Sequence, residues 1–415
     1  MACAALLAAI AVQAGCASMC EELAADRKAF FARRGGSAAA PHATIVVPFA
    51  VGDRLIARRM SALQPIGAPI TLPGRIGRFL GSVRLVPRRL SMRPAPDDRL
   101  GLRLEVDLVA GESPLLALSL DLDVRPEVDP AKGTLRVAVR ADDLRSVRSS
   151  IHPGAADRLA SDIWSRLPAV TRAVVSRDQV GELARASIDH LAGRLGSMLV
   201  DSGLLAPLGE ITELTVAIPI VPVARLSLRS GRGAVVIGVH TDLPARGGVR
   251  ATGAAPRDPE VVEVRMAGTA LAELGNRALV TGLLPRRYDD DMRPKRDGEF
   301  TPGFAWAAAG PRPLKIFAWR VKSPCLRARI GARPALSAAG GRLTIGIEGG
   351  EVEEVRGAAL VRARVWMKRL GADAIRFTRK TIASARITIA GSPLTGRIQR
   401  AAIEGGEVAV DLVID

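Results

Sequence analysis

The side chains best suited to ligate a metal or attack a carbonyl are four histidines (His42, His152, His190, His240) and four cysteines (Cys3, Cys16, Cys20, Cys325). The histidines are scattered and share no motif with a nucleophile. With the cysteines at these spacings they give no zinc pattern. The triplet Asp289-Asp290-Asp291 has the hard oxygen ligands a divalent cation takes. It sits among Arg286, Arg287, Arg293 and Arg296, however, and reads as a solvated loop that neutralises itself. No G-x-G-x-x-G opens a helix, and there is neither a G-x-x-x-x-G-K-[ST] phosphate loop nor a G-x-S-x-G elbow. The chain is therefore expected not to be an enzyme and to use no cofactor and no metal.

One cysteine has a different chemistry open to it. The N-terminus reads "MACAALLAAIAVQAGCASMC", an apolar run from Ala4 to Val12 followed by small residues and Cys16. The run is too short to span a bilayer. It resembles a bacterial lipoprotein signal, in which cleavage follows Ala14-Gly15 and Cys16 receives the lipid. Gln13 stands where Leu or Val is usual, and no Lys or Arg precedes the run. On this reading residues 1–15 are the signal peptide. Residues 16–40, charged and then Gly/Ala-rich ("RRGGSAAAPH"), are a tether with at most one or two helical turns at its start. Cys20 and Cys325 remain after cleavage. An exported compartment permits a disulfide between them, and each could equally stay a free thiol or a small buried hydrophobe.

The elements that follow alternate by type. "RLGLRLEVDLVA", "PLLALSLDLDVRP" and "GTLRVAVRADDL" place apolar residues at every second position, with turn-forming breaks at Gly111–Pro114 and Asp129–Gly133. Such strands have one wet and one dry face, and short connections make them an antiparallel meander. Helical period then takes over. "PGAADRLASDIWSRL" aligns Leu159, Ile163 and Leu167. A capping box, Ser176-x-x-Gln179, opens a second helix whose apolar face is Val180, Leu183, Ser187, Leu191, Leu195 and Met198. Strands resume at Ile211. A helix "GTALAELGNRAL" follows, and the remainder is again β. The sequence "IEGGEV" occurs at Ile347–Val352 and Ile403–Val408, and Gly-Gly between alternating strands signals a tight hairpin. The expected fold is α+β: two tandem twisted antiparallel sheets, each wrapped around amphipathic helices, in an elongated molecule. The units are residues 41–210 and 211–415.

The net charge of +17 favours anionic partners. The basic residues are dispersed, though, and the chain has one tyrosine, so nucleic acid is not an expected partner. A transmembrane barrel is excluded by the missing aromatic girdles, the interrupting helices and the prolines inside strands. What remains to be explained is what the dry faces touch. Leu102, Leu104, Val106, Leu118, Leu120 and Leu122 fall on one such face. Burying a methylene is worth roughly 0.8 kcal/mol, so a 14-carbon chain held there would gain about 10 kcal/mol before ordering costs. Such a site needs no polar motif.

The order of elements resembles the tubular lipid-binding superfamily, which includes bactericidal/permeability-increasing protein, and within it an uncharacterised Gram-negative lipoprotein branch. The stretches that carry the resemblance are "HATIVVPFAVGDRLIARRM", "ITELTVAIPIVPV" and "GTALAELGNRAL". It implies apolar pockets for the acyl chains of phospholipid or glycolipid, lined by the six residues above. It also implies a periplasmic protein anchored to the outer membrane surface through Cys16. Two alternatives stand beside it: a structural or assembly lipoprotein with a filled core, and a surface protein that binds polyanions.

Overall fold

A computed structural model describes residues 18–33, 40–60, 66–71, 82–129, 134–136, 141–201, 214–215, 223–249, 256–289, 293–357 and 380–414, apart from isolated single or paired positions within those runs. The expected signal peptide, 1–15, and Cys16 lie outside the described residues.

Helix α1 spans 18–31. Strand β1 (Ala43–Pro48) runs directly into helix α2 (Phe49–Met60). A meander follows: β2 (Ile66–Thr71), β3 (Ser82–Arg93), β4 (Leu100–Ala110) and β5 (Ser113–Val124). Short strands β6 (Glu127–Asp129) and β7 (Thr134–Arg136) precede β8 (Leu144–Ile151), which returns to pair with β5. Next come α3 (Ala155–Arg166), the single turn α4 (Ala169–Arg172) and α5 (Arg177–Asp201). Strand β9 (Leu214–Thr215) leads to the hairpin of β10 (Val223–Gly231) and β11 (Ala234–Thr241). The opening order then recurs. Strand β12 (Val262–Ala267) runs directly into α6 (Gly268–Thr281). A second meander has β13 (Phe300–Trp306), β14 (Leu314–Arg320), β15 (Leu326–Ala339), β16 (Arg342–Gly357) and β17 (Lys380–Ala383). Strands β18 (Ala385–Ile389), β19 (Ser392–Glu404) and β20 (Glu407–Ile414) complete the chain.

The α+β class is as expected, and every strand pairing among the described residues is antiparallel. The number of sheets differs: the described residues form three, none of them closed on itself. Two are the meanders, β2-β3-β4-β5-β8 and β13-β14-β15-β16-β17. The third is a ten-stranded central sheet, β10-β11-β1-β12-β20-β19-β18-β9-β7-β6, which draws strands from both sides of position 210. At its middle Ile45 of β1 lies opposite both Ile237 of β11 and Val264 of β12. The reason is in the strand sequences. Every residue of β11, "AVVIGVHT", is buried, and a strand that is dry on both faces belongs inside a sheet.

The first half of the expected tether is a docked helix, fourteen residues long rather than one or two turns. It lies on the face of the second meander opposite α6. Ala272 and Leu279 of α6 pack with Phe304, Ile316, Ile330 and Ala332. Phe317 and Trp319 point the other way, where Phe30 of α1 meets them at ring-centroid distances of 5.3 and 4.9 Å. Phe30, Phe31, Phe317 and Trp319 are four of only 13 aromatic residues in the chain, so this contact holds an unusual share of its ring surface. Asp26 accepts hydrogen bonds from Trp319 Nε1 and Arg327, both at 2.9 Å. Gly303 lies beneath the rings, where a Cβ would stand 2.7 Å from Trp319 and 2.8 Å from Phe30. Cys20 and Cys325 are joined in a disulfide, with their Cα atoms 5.4 Å apart.

The repeated "IEGGEV" takes two conformations. At Gly405-Gly406 both φ angles are positive, 58° and 86°, and the chain makes the expected two-residue hairpin with Ile403 opposite Val408. At Gly349 the φ is also positive, yet the chain stays within β16 and bulges, with Glu351 opposite Gly331 and Glu348 opposite Arg333.

The bridge closes a loop of 305 residues. Replacing both Cys20 and Cys325 by serine is expected to lower the unfolding free energy by about 2–5 kcal/mol, read from denaturant titration. The same variant should expose the α1 backbone to proteolysis before the rest of the chain unfolds.

Candidate functional site

The six residues expected to line an apolar interior are brought together as three directly opposed pairs. Leu102 faces Leu122, Leu104 faces Leu120 and Val106 faces Leu118 across β4 and β5. The ladder continues through Leu108 and Leu116, and β3 extends it sideways with Leu85 opposite Leu108 and Leu90 opposite Leu104. The six are 0–2% exposed. Helices cover them: Leu159, Ala160 and Ile163 of α3, Val180, Ala184, Ile188 and Leu191 of α5, and Ile56 of α2 belong to the same buried cluster. Leu228, Val235 and Ile237 join it from the central sheet. The two cavities described lie elsewhere, one against Arg257, Glu263, Arg400 and Asp411, the other against Phe31, Leu279 and Arg286.

The helical cover follows from local sequence. Gly154, at φ 69°, turns the chain from β8 into α3. Pro168 separates α3 from α4, as its position predicts. The capping box is formed: the Gln179 N–H donates to Ser176 Oγ at 3.2 Å, and the Ser176 N–H donates to Gln179 Oε1 at 2.9 Å. Of the expected face of α5, Val180, Ser187 and Leu191 are buried, and the side chains of Leu195 and Met198 lie outside the described residues. Ala184 and Ile188 point inward, and Leu183 is 44% exposed. Both helices present alanines to the leucines, and that choice of residue could not be ranked against Leu183 from periodicity alone.

The wet face is a lattice of shared charges. Asp121 accepts from Arg103 at 2.8 Å, from Ser146 at 2.9 Å and from Arg148 at 3.0 Å. Asp123 pairs with Arg93 and Arg145, and Asp107 with Arg88 and His152, the last at 2.9 Å. Arg103 stands directly opposite Asp121, so the strand register sets the pair. The hydrogen bond from Arg103 holds the Asp121 carboxyl down to about 2. The same sharing recurs at Glu354, which meets Arg327, Arg329 and Arg356, and at Glu404, which meets Arg257 and Arg400. Among the described residues no group of three or more His, Cys, Asp or Glu side chains is arranged to hold a metal ion. No described helix is long and apolar enough to cross a membrane.

No family model matches the chain, and no curated protein matches it. Among solved structures it is similar to P47 from Clostridium botulinum A2, with 7% identity and a TM-score of 0.42 over 92% of this chain and 99% of that one. It is also similar to P47 of Clostridium botulinum E1, with 6% identity and a TM-score of 0.41 over 92% and 100%. Likeness at this level carries no argument.

Two predictions follow from the geometry of this sheet. Leu104→Ala and Leu120→Ala should each cost about 2–5 kcal/mol in unfolding free energy. The double variant should cost less than the sum, because the two residues face each other. The second concerns acid. The folded Asp121 carboxyl titrates near 2 and the unfolded one at 3.8, so the pair stabilises the fold above pH 4 and this contribution is lost as pH falls towards 2. Asp121→Asn should lower stability at neutral pH by about 1–2 kcal/mol and flatten the acid limb of a urea-midpoint profile between those values.

Proposed function

We propose that the chain is an exported, membrane-tethered protein that binds or shuttles lipid, with the leucine face of the first meander as the surface that takes acyl chains. The observation that carries this reading is the ladder Leu102–Leu122, Leu104–Leu120 and Val106–Leu118, an apolar face several residues long beneath two helices that meet it with Leu159, Ile163, Val180, Ile188 and Leu191 and with alanines between them. An acyl chain enters by parting α3 and α5 from the sheet, hinged at Gly154 and at the Leu167-Pro168 junction. The cost of separating helix from sheet is offset by chain methylenes taking the place of helix side chains, at roughly 0.8 kcal/mol each. No catalytic step and no cofactor is required.

Export is supported by the Cys20–Cys325 bridge, since disulfides persist in oxidising compartments. In this reading the compartment is the periplasm and the anchor is a lipid on Cys16 in the outer membrane. Residue 18 already belongs to α1, so the anchor is two residues from a stapled helix and not at the end of a long tether. The architecture supports two tandem units. In each, one strand runs into one helix and then a meander, and a hairpin flanks that strand: β10–β11 beside β1, β19–β20 beside β12. The seam in this reading falls between β11 and β12.

A second reading is an assembly lipoprotein without ligand. The specific observation in its favour is that the six lining residues are no more than 2% exposed under their helices. Native mass spectrometry of the mildly purified mature chain separates the two. Co-purified phospholipid or glycolipid is the expected result, and a clean apo mass would replace the first reading by the second. Incorporation of labelled palmitate in cells is expected for the intact chain and should vanish in Cys16→Ala.

A further inference from the structure

We infer that the tip formed by residues 165–177 is the surface through which the protein contacts an anionic lipid bilayer. The inference rests on the lipid-binding reading and deepens it by naming where lipid meets the protein. Six large apolar side chains are exposed among the described residues, and the two most exposed, Val170 at 80% and Val174 at 82%, are here. Val170 lies in the single turn α4 and Val174 two residues beyond its end, four positions apart in the chain. Pro168, Ala169 and Ala173 around them are exposed as well. A water-facing turn has no use for two bare valines, whereas a bilayer interface does.

Charge selects the partner. The stretch from Ser165 to Arg177 contains Arg166, Arg172 and Arg177 and no acidic residue. All three arginines are exposed. The Arg172 Nε donates to the Leu167 carbonyl at 2.9 Å and Arg177 donates to Ser161 Oγ at 3.3 Å. Exposed valines flanked along the chain by exposed arginines fit the headgroup region of a bilayer rich in anionic lipid, with the arginines on phosphates and the valines below them. The tip also joins the interior. Leu167 and Val175, on either side of the exposed turn, pack against the leucine cluster. An apolar path therefore runs from Val170 and Val174 through Leu167 and Val175 to the face that takes the acyl chain.

The test is flotation of the unlipidated mature chain, from Cys16 onward, with vesicles of phosphatidylcholine alone and of phosphatidylcholine mixed with phosphatidylglycerol. Binding is expected to the mixed vesicles, to weaken with added salt, and to fall at least about tenfold in V170D/V174D. Both positions are outside every buried cluster, so that variant should keep the wild-type unfolding midpoint. Arg166→Gln with Arg172→Gln should lose the preference for phosphatidylglycerol while keeping the midpoint. Unchanged flotation of V170D/V174D, no flotation of the wild type, or a wild-type dimer that V170D/V174D abolishes would each overturn the inference. The same samples are weighed by native mass spectrometry. Co-purified lipid without flotation overturns the tip and spares the lipid-binding reading. Flotation that depends on the valines, with no co-purified lipid, keeps the tip and removes that reading.

Discussion

Strand β1 pairs on one edge with β11 and on the other with β12, and the two halves of the chain are one body because of it. Its six residues, like most of those of β11, are β-branched or small apolar types, whereas β12 alternates such residues with Glu263 and Arg265. Removing it would leave β11 and β12 each with an open edge inside the sheet. Both meanders are reached from that sheet. The strand passes directly into α2, which lies over the first meander, and β12 passes directly into α6, which lies over the second.

The two faces of the first meander solve opposite problems with one register. On the dry side, pairing β4 with β5 sets leucine against leucine, and the face requires only a cover of matching polarity. On the wet side the same pairing sets Arg103 against Asp121. A chain with 59 basic and 42 acidic residues cannot give each arginine its own carboxylate. The structure shares them instead, with Asp121, Glu354 and Glu404 each serving two or three guanidinium groups. Dispersed arginine is thus consistent with a folded surface that holds its charge in small lattices and not in one polyanion-binding stripe.

The edge of the second meander shows how the protein protects an open strand. Asn276 of α6 donates to the Phe304 carbonyl at 2.8 Å and accepts from the Phe304 N–H at 2.7 Å, so one amide side chain substitutes for a neighbouring strand. On the opposite face α1 supplies the rings and the disulfide. Between them α1 and α6 pack on both faces of this sheet.

Strand alternation, the capping box at Ser176 and the turn at Gly405-Gly406 were legible in the sequence because each depends on residues a few positions apart. The six candidate lining residues were legible for the same reason, since a period of two alone puts them on one face. What the sequence did not contain was anything that acts across hundreds of residues. Helix α1 read as a tether because its partners, Phe317, Trp319 and Cys325, come about 300 positions later. The two copies of "IEGGEV" are locally identical, and only the partner strand made one a hairpin and the other a bulge. The seating of β1 between β11 and β12 was likewise decided by tertiary structure, because an apolar strand states that it must be buried but not beside which neighbour.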